Sequence, residues 1–361
     1  MAVSAVFLPA SSASAAPSDA VDSATAGSFA RLADAVLTDR TAALLDRGQA
    51  RRIAPELDKK VRLSASLTRS EGTAVSSLRT RKSRLAALGE AYTAGDTKVT
   101  VERTRVKSGR ATVDVTESTT LTYKKLRGDE PSTTGFKARH ELTFTAKSGG
   151  KWELTGIRSK DEGPRAINAP VAMAVTVGSS GLPSAPPAAT SWPARSQPKA
   201  KSSAGGYDYA AMAAYAEKYW RNYNPAYRSF NSYGGDCTNF VSQALKAGGW
   251  KDQPGKYDDY RAWWYDSKNQ ATSWVGANEW SWSALNSQRV KPLSNVYQMD
   301  VGDIMQMDFD DDGSKDHTMI TTYRSRIGVP YLTYHSTNTY RKSVASIIAS
   351  NPDAVYYAYR T

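Results

Sequence analysis

The chain has one cysteine and three histidines in 361 residues, and the cysteine and two of the histidines fall in its C-terminal part. Cys237 lies in the run Gly235-Asp236-Cys237-Thr238-Asn239-Phe240-Val241-Ser242-Gln243-Ala244-Leu245. Phe240, Val241, Ala244 and Leu245 recur with the period of one helix face, and Gly248-Gly249 can end such a helix. This places Cys237 at a helix N-terminus, where unpaired N–H groups and the helix dipole favour an anion. A thiol in such a place can titrate at roughly 3.5–7.5 instead of ~8.5, which makes it a nucleophile at neutral pH. A buried, inert cysteine is the other reading. Asp236 is suited to cap the helix.

A thiol nucleophile needs a base, and the base needs an orienting group. His317 opens the segment His317-Thr318-Met319-Ile320-Thr321-Thr322-Tyr323, and His335 closes Tyr331-Leu332-Thr333-Tyr334-His335. Both read as strands, with Gly328-Val329-Pro330 turning one into the other. An antiparallel pair joined there brings the two imidazoles side by side, one to take the thiol proton and the other to fix its tautomer. Asn338 is an alternative orienter. Just before His317, Asp308-Phe309-Asp310-Asp311-Asp312-Gly313 fits the first half of a Ca²⁺ loop, with Asp308, Asp310 and Asp312 as ligands and Asp316 at the ninth position. The twelfth position is Met319, where a complete EF-hand has a bidentate Glu. The loop is therefore either a partial Ca²⁺ site or an acidic hairpin. The thiol chemistry requires no cofactor.

The elements around these residues indicate an α+β protein in two parts. Residues 1–16 read as a partial signal segment, with an apolar run from Val3 to Leu8 and a small-residue cleavage site at Ala13-Ser14-Ala15. A basic α+β domain spans 20–160: helices carrying Leu32, Val36 and Leu44, then Val75, Leu78, Leu85, Leu88 and Tyr92 up to Gly95, followed from Lys98 by alternating strands. Helices over a curved antiparallel sheet resemble the NTF2-like domains. His140 lies on the apolar phase of its strand and reads as a core histidine. Residues 161–206, rich in Pro, Ala, Ser and Gly, read as a linker. The domain at 207–361 opens with a helix through Tyr209, Met212, Ala216 and Trp220. It also carries a tryptophan-rich stretch, Trp250 to Trp282, which is suited either to a substrate groove or to a local core.

Together, the Cys237 helix, Asp316-His317-Thr318-Met319-Ile320, Tyr334-His335-Ser336-Thr337-Asn338 and the lead-in Gly302-Asp303-Ile304 resemble the papain-like NlpC and CHAP hydrolases. They resemble more closely the putative amidase domain family of secreted Gram-positive proteins. The resemblance covers about residues 205–361. It implies a papain-like cysteine hydrolase fold, Cys237 as nucleophile, His317 as base and a polar third member, His335 or Asn338. It also implies substrate contacts near Asp236 and Thr238.

Charge is uneven: residues 1–200 hold 30 Lys and Arg against 19 Asp and Glu, while residues 201–361 hold 17 against 16. The basic half suits an anionic partner, here an acidic wall polymer. Nucleic acid is not expected, because aromatics do not interleave with the basic residues as a single-strand platform requires. No run reaches the roughly 18 apolar residues of a membrane span. An exported protein with a single cysteine has no internal disulfide, which favours a reactive thiol. The sequence therefore points to a secreted or wall-associated cysteine amidase or peptidase acting on peptide of the peptidoglycan type. The alternative is a non-catalytic wall-binding protein with a degenerate hydrolase domain.

Overall fold

The computed structural model describes residues 21–46, 60–170, 185–194, 206–233 and 235–361. The expected signal segment lies outside them. In the N-terminal part α1 (Ser23–Ala42) is followed by β1 (Val61–Leu63), α2 (Ala65–Ala87), β2 (Tyr92–Lys107), β3 (Arg110–Tyr123), β4 (Thr133–Lys147) and β5 (Lys151–Ser159). Asp22 caps α1 through the Thr25 N–H, and Ser64 caps α2 through the Leu67 N–H. The second helix ends before the expected Gly95. Gly89 takes a positive φ of 73° at its end, and Tyr92 begins a strand instead of a last helical turn. The alternating apolar residues do face inward: Val113, Val115, Leu142, Phe144 and Leu154 pack against Phe29, Leu32, Ala33 and Val36 of α1.

The C-terminal part contains α3 (Tyr209–Tyr219), α4 (Cys237–Ala247), α5 (Thr272–Val275), α6 (Ala277–Asn286), β6 (Lys291–Leu293), β7 (Ile304–Asp308), β8 (His317–Arg324), β9 (Pro330–Tyr334), β10 (Asn338–Ser343), α7 (Val344–Ser350) and β11 (Val355–Arg360). Helix α4 is buried from Cys237 to Leu245. Its Phe240, Val241, Ala244 and Leu245 lie in a core with Met212, Ile304 and Ile320. Trp250, Trp263, Trp274 and Trp280 belong to the same core and pack the interior, while Trp264 and Trp282 are half-buried outside it. On the other face of the sheet Met305, Met307, Met319, Leu332 and Tyr334 form a second core with Val344 and Ile347 of α7.

The two parts share one sheet. Strand β4 has 15 residues and pairs with β3 along one edge, but β5 has only nine and covers the other edge from His140 onward. The uncovered start of β4 is taken by β10, with Asn338 opposite Lys137 and Tyr340 opposite Gly135. The resulting order is β1-β5-β4-β10-β9-β8-β7-β11-β6, with β2 and β3 branching at β4. The join carries apolar and polar contacts. Val329, Tyr331 and Ala345 pack with Leu78, Tyr92, Tyr123 and Phe136. The Tyr123 hydroxyl donates to the Arg341 carbonyl at 3.0 Å, and the Thr134 hydroxyl donates to the Tyr340 carbonyl at 2.8 Å. Buried Glu90 accepts from Tyr92 and from Ser343.

The stretch expected as a linker is packed where it is described. Asn168 donates to buried Glu117 at 2.6 Å, Arg165 and Ile167 offer carbonyls to Lys342 and Arg81, and the Ala188 N–H bonds to the Tyr356 carbonyl. His140 is the expected core histidine, held by Glu117 at 2.9 Å.

A fragment of residues 206–361 loses the cover over Val329, Tyr331 and Ala345 and leaves the β10 edge open. Each exposed large apolar side chain costs about 1.5–3 kcal/mol against a total stability of about 5–15 kcal/mol. The fragment is expected to associate through that edge and to melt well below the whole chain. Light scattering after gel filtration and thermal melts of the two proteins check this. A monomeric fragment with an unchanged Tm would show that the join contributes nothing.

Candidate active site

Asp236 is fully buried and lies immediately before α4, but it does not cap the helix. Its carboxylate accepts from the Phe230 N–H at 2.8 Å, from Asn239 Nδ2 at 2.9 Å and from His335 Nδ1 at 2.8 Å. Its backbone N–H donates to Ser336 Oγ at 3.1 Å. The turn before Cys237 is thus fastened to the end of β9. The expected roles of Asp236 as a cap or a substrate contact are replaced by that of an anchor for His335. Because the carboxylate turns away, the first N–H groups of α4 have no side-chain cap. Gly235 adopts φ +120°, and a Cβ there would lie 2.9 Å from Ser336 Oγ, so the close approach of the two loops requires glycine.

His335 has both ring nitrogens engaged, Nδ1 with Asp236 and Nε2 with the Tyr219 carbonyl at 2.9 Å. Both partners offer acceptor oxygens to the ring. The ring stacks on Phe240 with centroids 3.9 Å apart and is flanked by Tyr223 at 4.1 Å. The following residues, Ser336 and Thr337, both have positive φ, 58° and 64°, as the central pair of a tight hairpin turn. Asn338 leaves that turn as the first residue of β10, and its Oδ1 accepts from the Tyr223 hydroxyl at 3.2 Å.

The structure does not pair the two histidines. Ile320 stands opposite Thr333, and this register brings His335 to the level of Thr318 instead of His317. Side chains alternate along a strand, so a register one residue away from the expected one puts the imidazoles on opposite faces. Thr318 points to α4, where its hydroxyl meets that of Thr238 at 2.9 Å. His317 points to the other side, and its ring contacts are Phe309 and Tyr334. No hydrogen bond joins it to His335 or Cys237, and its buried Nε2 has no partner. Neither His335 nor Asn338 therefore orients His317 here.

The Cys237 side chain is buried at the start of α4. Its Sγ lies 3.7 Å from Thr238 Oγ1, and the Thr318 backbone is against it. Burial pushes the thiol up from its ordinary value, opposed in part by Thr238 and Thr318. This reverses the expectation of a thiolate lowered by the helix N-terminus. Burial also pulls the His317 imidazole down to about 3, with His335 as a second cause. Thiol and imidazole are both neutral at pH 7. Thr238 is itself buried and faces inward, because Thr318 bridges it to Gln306 Nε2 at 3.1 Å and Gln306 donates on to the Ala277 carbonyl.

Several residues around the site carry no sequence signal of their role. Asn239 bonds Asp236 through Nδ2 and accepts from Trp274 Nε1 at 2.8 Å through Oδ1. Gln306 is as fully buried, and Tyr223 is half-buried. Only the position of Asn239 inside the cysteine motif marked it.

The acidic loop groups differently from the expected Asp308, Asp310 and Asp312. Carboxylate oxygens of Asp308, Asp310 and Asp316 come within 4.8 Å of one another. Asp312 instead turns to the Ser314 N–H at 2.7 Å. Asp308 accepts from the Gly313 N–H and Asp316 from the Phe309 N–H, so much of the oxygen set that a Ca²⁺ ion would need is occupied in closing the loop. Burial raises the Asp308 and Asp316 carboxyls, and nearby carboxylates add to the effect.

The buried His317 has a consequence for acid stability. Its imidazole titrates near 3 in the folded chain and near 6.5 when unfolded, so between these values the unfolded state binds the extra proton. Stability therefore falls as pH drops below about 6.5, by up to about 1.4 kcal/mol per pH unit for this one group. His317→Phe, which keeps a ring against Phe309 and Tyr334, is expected to make the acid limb shallower by that amount in urea titrations from pH 7 to 4. An unchanged limb would mean that His317 is protonated in the folded state.

Comparison with known proteins bears on this region. Two Bacillus subtilis (strain 168) proteins described as uncharacterized align with part of the chain. YhbB is 32% identical over 140 residues, covering 37% of this chain and 44% of the relative, and YjcM is 34% identical over 143 residues, covering 37% and 32%. The chain thus spans less than half the length of either relative. A solved structure, the intermembrane space region of the chloroplast protein ARC6, aligns over 36% of this chain and 95% of its own at 18% identity, with a TM-score of only 0.23. The part of the chain that holds Cys237, Asp236 and both histidines, residues 206–359, matches the family model described as "Putative amidase domain".

Proposed function

We propose that the protein is an exported cysteine amidase that hydrolyses an amide bond in a cell-wall peptide, and that its C-terminal part is a papain-like catalytic domain. The observation that carries this reading is the thiol of Cys237. It lies at an uncapped helix start and against the residue that follows His317, inside the segment that matches the amidase family. Of the two nearby imidazoles, His335 has both nitrogens engaged, while His317 has a nitrogen with no partner. This supports His317 as the base, with His335 as the group that holds the nucleophile's turn through Asp236.

In this mechanism the start of β8 turns when substrate binds and carries the neutral ring of His317, its first residue, from the far face of the sheet toward the thiol. Catalytic hydrogen bonds commonly tighten only in the complex. His317 takes the thiol proton, and the sulfur attacks the amide carbonyl. The tetrahedral oxyanion is met by the free N–H groups at the start of α4. His317 returns the proton to the leaving amine, and water hydrolyses the thioester.

Assays on short wall-type peptides test the reading. Cys237→Ala is expected to reduce hydrolysis to background, and His317→Gln to lower kcat by about 10²–10⁴-fold with KM little changed. Hydrolysis that survives Cys237→Ala would overturn it. A wild-type protein that binds such peptides without cleaving any would favour the non-catalytic wall-binding alternative.

A further inference from the structure

We propose that the N-terminal part forms one wall of the substrate site, and that the groove along the β4–β10 join binds a carboxylate-bearing peptide. This rests on the amidase reading and gives its substrate a charge. The groove has a volume of about 390 Å³, within the usual range of small-ligand sites. One wall carries Lys137 and Arg139 of β4, and the other carries Arg221, Tyr223, Ser336 and Asn338. The last three reach the candidate catalytic cluster: the Tyr223 ring lies against His335 at 4.1 Å, Ser336 accepts from the Asp236 N–H, and Asn338 accepts from Tyr223. The groove therefore ends where the nucleophile's turn is held.

Its cations are of two kinds. Arg139 is already paired with Asp161 at 2.9 Å. Lys137 and Arg221 have no acidic partner among the described residues, and Arg221 lies over the Trp220 ring at 4.7 Å. Two uncommitted cations facing a polar groove suit carboxylates, which accept charge-assisted hydrogen bonds. Glu102 and Asp161 also line the groove. Their charge opposes a polyanion such as a phosphate polymer but tolerates a peptide that carries amines as well as carboxylates. Lys137 stands opposite Asn338 across the join, so the strand pairing that unites the two parts also places the N-terminal cation beside the site. The basic half thus has a local task at the catalytic end of the sheet.

The test uses the full chain with Cys237→Ala, so that binding is read without turnover. An acidic tripeptide with a free α-carboxylate, its neutral amidated counterpart and inorganic polyphosphate are titrated by calorimetry. The acidic peptide is expected to bind roughly tenfold more tightly than the neutral one. Lys137→Glu with Arg221→Glu is expected to abolish that preference, while Lys107→Glu with Lys151→Glu, a matched charge change on exposed positions elsewhere, leaves it intact. Lys137→Gln with Arg221→Gln serves if the charge reversal lowers Tm. Equal affinity for the two peptides overturns the proposal, as does equal loss in the control variant or tighter binding of polyphosphate than of the acidic peptide. Because binding is read without the nucleophile, absence of hydrolysis in the wild type would sink the amidase reading and leave this one standing.

Discussion

The architecture around the candidate site depends on one buried carboxylate. Asp236 joins the loop at Phe230 and the start of α4 on either side of it to His335, 99 positions away just past β9. A carboxylate taken out of water needs its oxygens satisfied, and Asp236 has three donors, one of them the His335 imidazole. Removing one partner of a buried pair typically costs about 3–5 kcal/mol, because the other charge is left stranded. The position of Cys237, one residue later, is therefore set by an interaction the thiol takes no part in. The positive-φ pair Ser336 and Thr337 fits the same account. Such backbone persists only when its surroundings fix it, here through Ser336 Oγ on the Asp236 N–H on one side and Gly163 packed against the Ser336 carbonyl on the other.

The second constraint is strand length. Because β4 outlasts β5, part of its edge needed a partner, and β10 supplies it. An open edge is a liability, and covering it unites an N-terminal sheet under two helices with the sheet that carries the histidines. The Gly163 contact and the carbonyls that Arg165 and Ile167 offer to Lys342 and Arg81 then follow from the same closure. What composition marks as a linker is drawn across the join where its backbone groups find partners.

What the sequence revealed and what it concealed divide along a physical line. The buried face of α4 was legible, because Phe240, Val241, Ala244 and Leu245 repeat with the helical period and the helix buries that face. The inward alternation of Val113, Val115, Leu142 and Phe144 was legible for the same reason. Strand β10 was not: Asn338–Ser343 is a polar run, buried because β4 needed an edge partner and because Lys342 finds the Arg165 carbonyl at 3.0 Å and Ser350 Oγ at 3.1 Å. The parity of the β8–β9 register was also hidden. The histidines' presence at strand ends could be read, but which face each takes depends on a single residue of slip. The role of Asp236 was hidden as well, because its partner lies 99 positions away.

Magnitudes decide why Cys237 rests as a neutral thiol despite its place on the helix. A helix N-terminus favours an adjacent anion by about 0.3–1 kcal/mol, and by up to ~2 kcal/mol when partly buried. Desolvating an ion costs several kcal/mol even after relaxation. Cys237 is buried at the helix start, so desolvation outweighs the dipole and the thiol is pushed up. The same burial keeps His317 neutral, and His335 nearby adds to the lowering. A preformed thiolate–imidazolium pair is thus disfavoured on both sides. In the proposed mechanism, charge separation between Cys237 and His317 becomes favourable only when a substrate carbonyl offers the sulfur a bond and the uncapped N–H groups of α4 an oxyanion to receive. The helix field then acts on the charge that develops in the reaction instead of on a standing thiolate, where stabilisation contributes to rate.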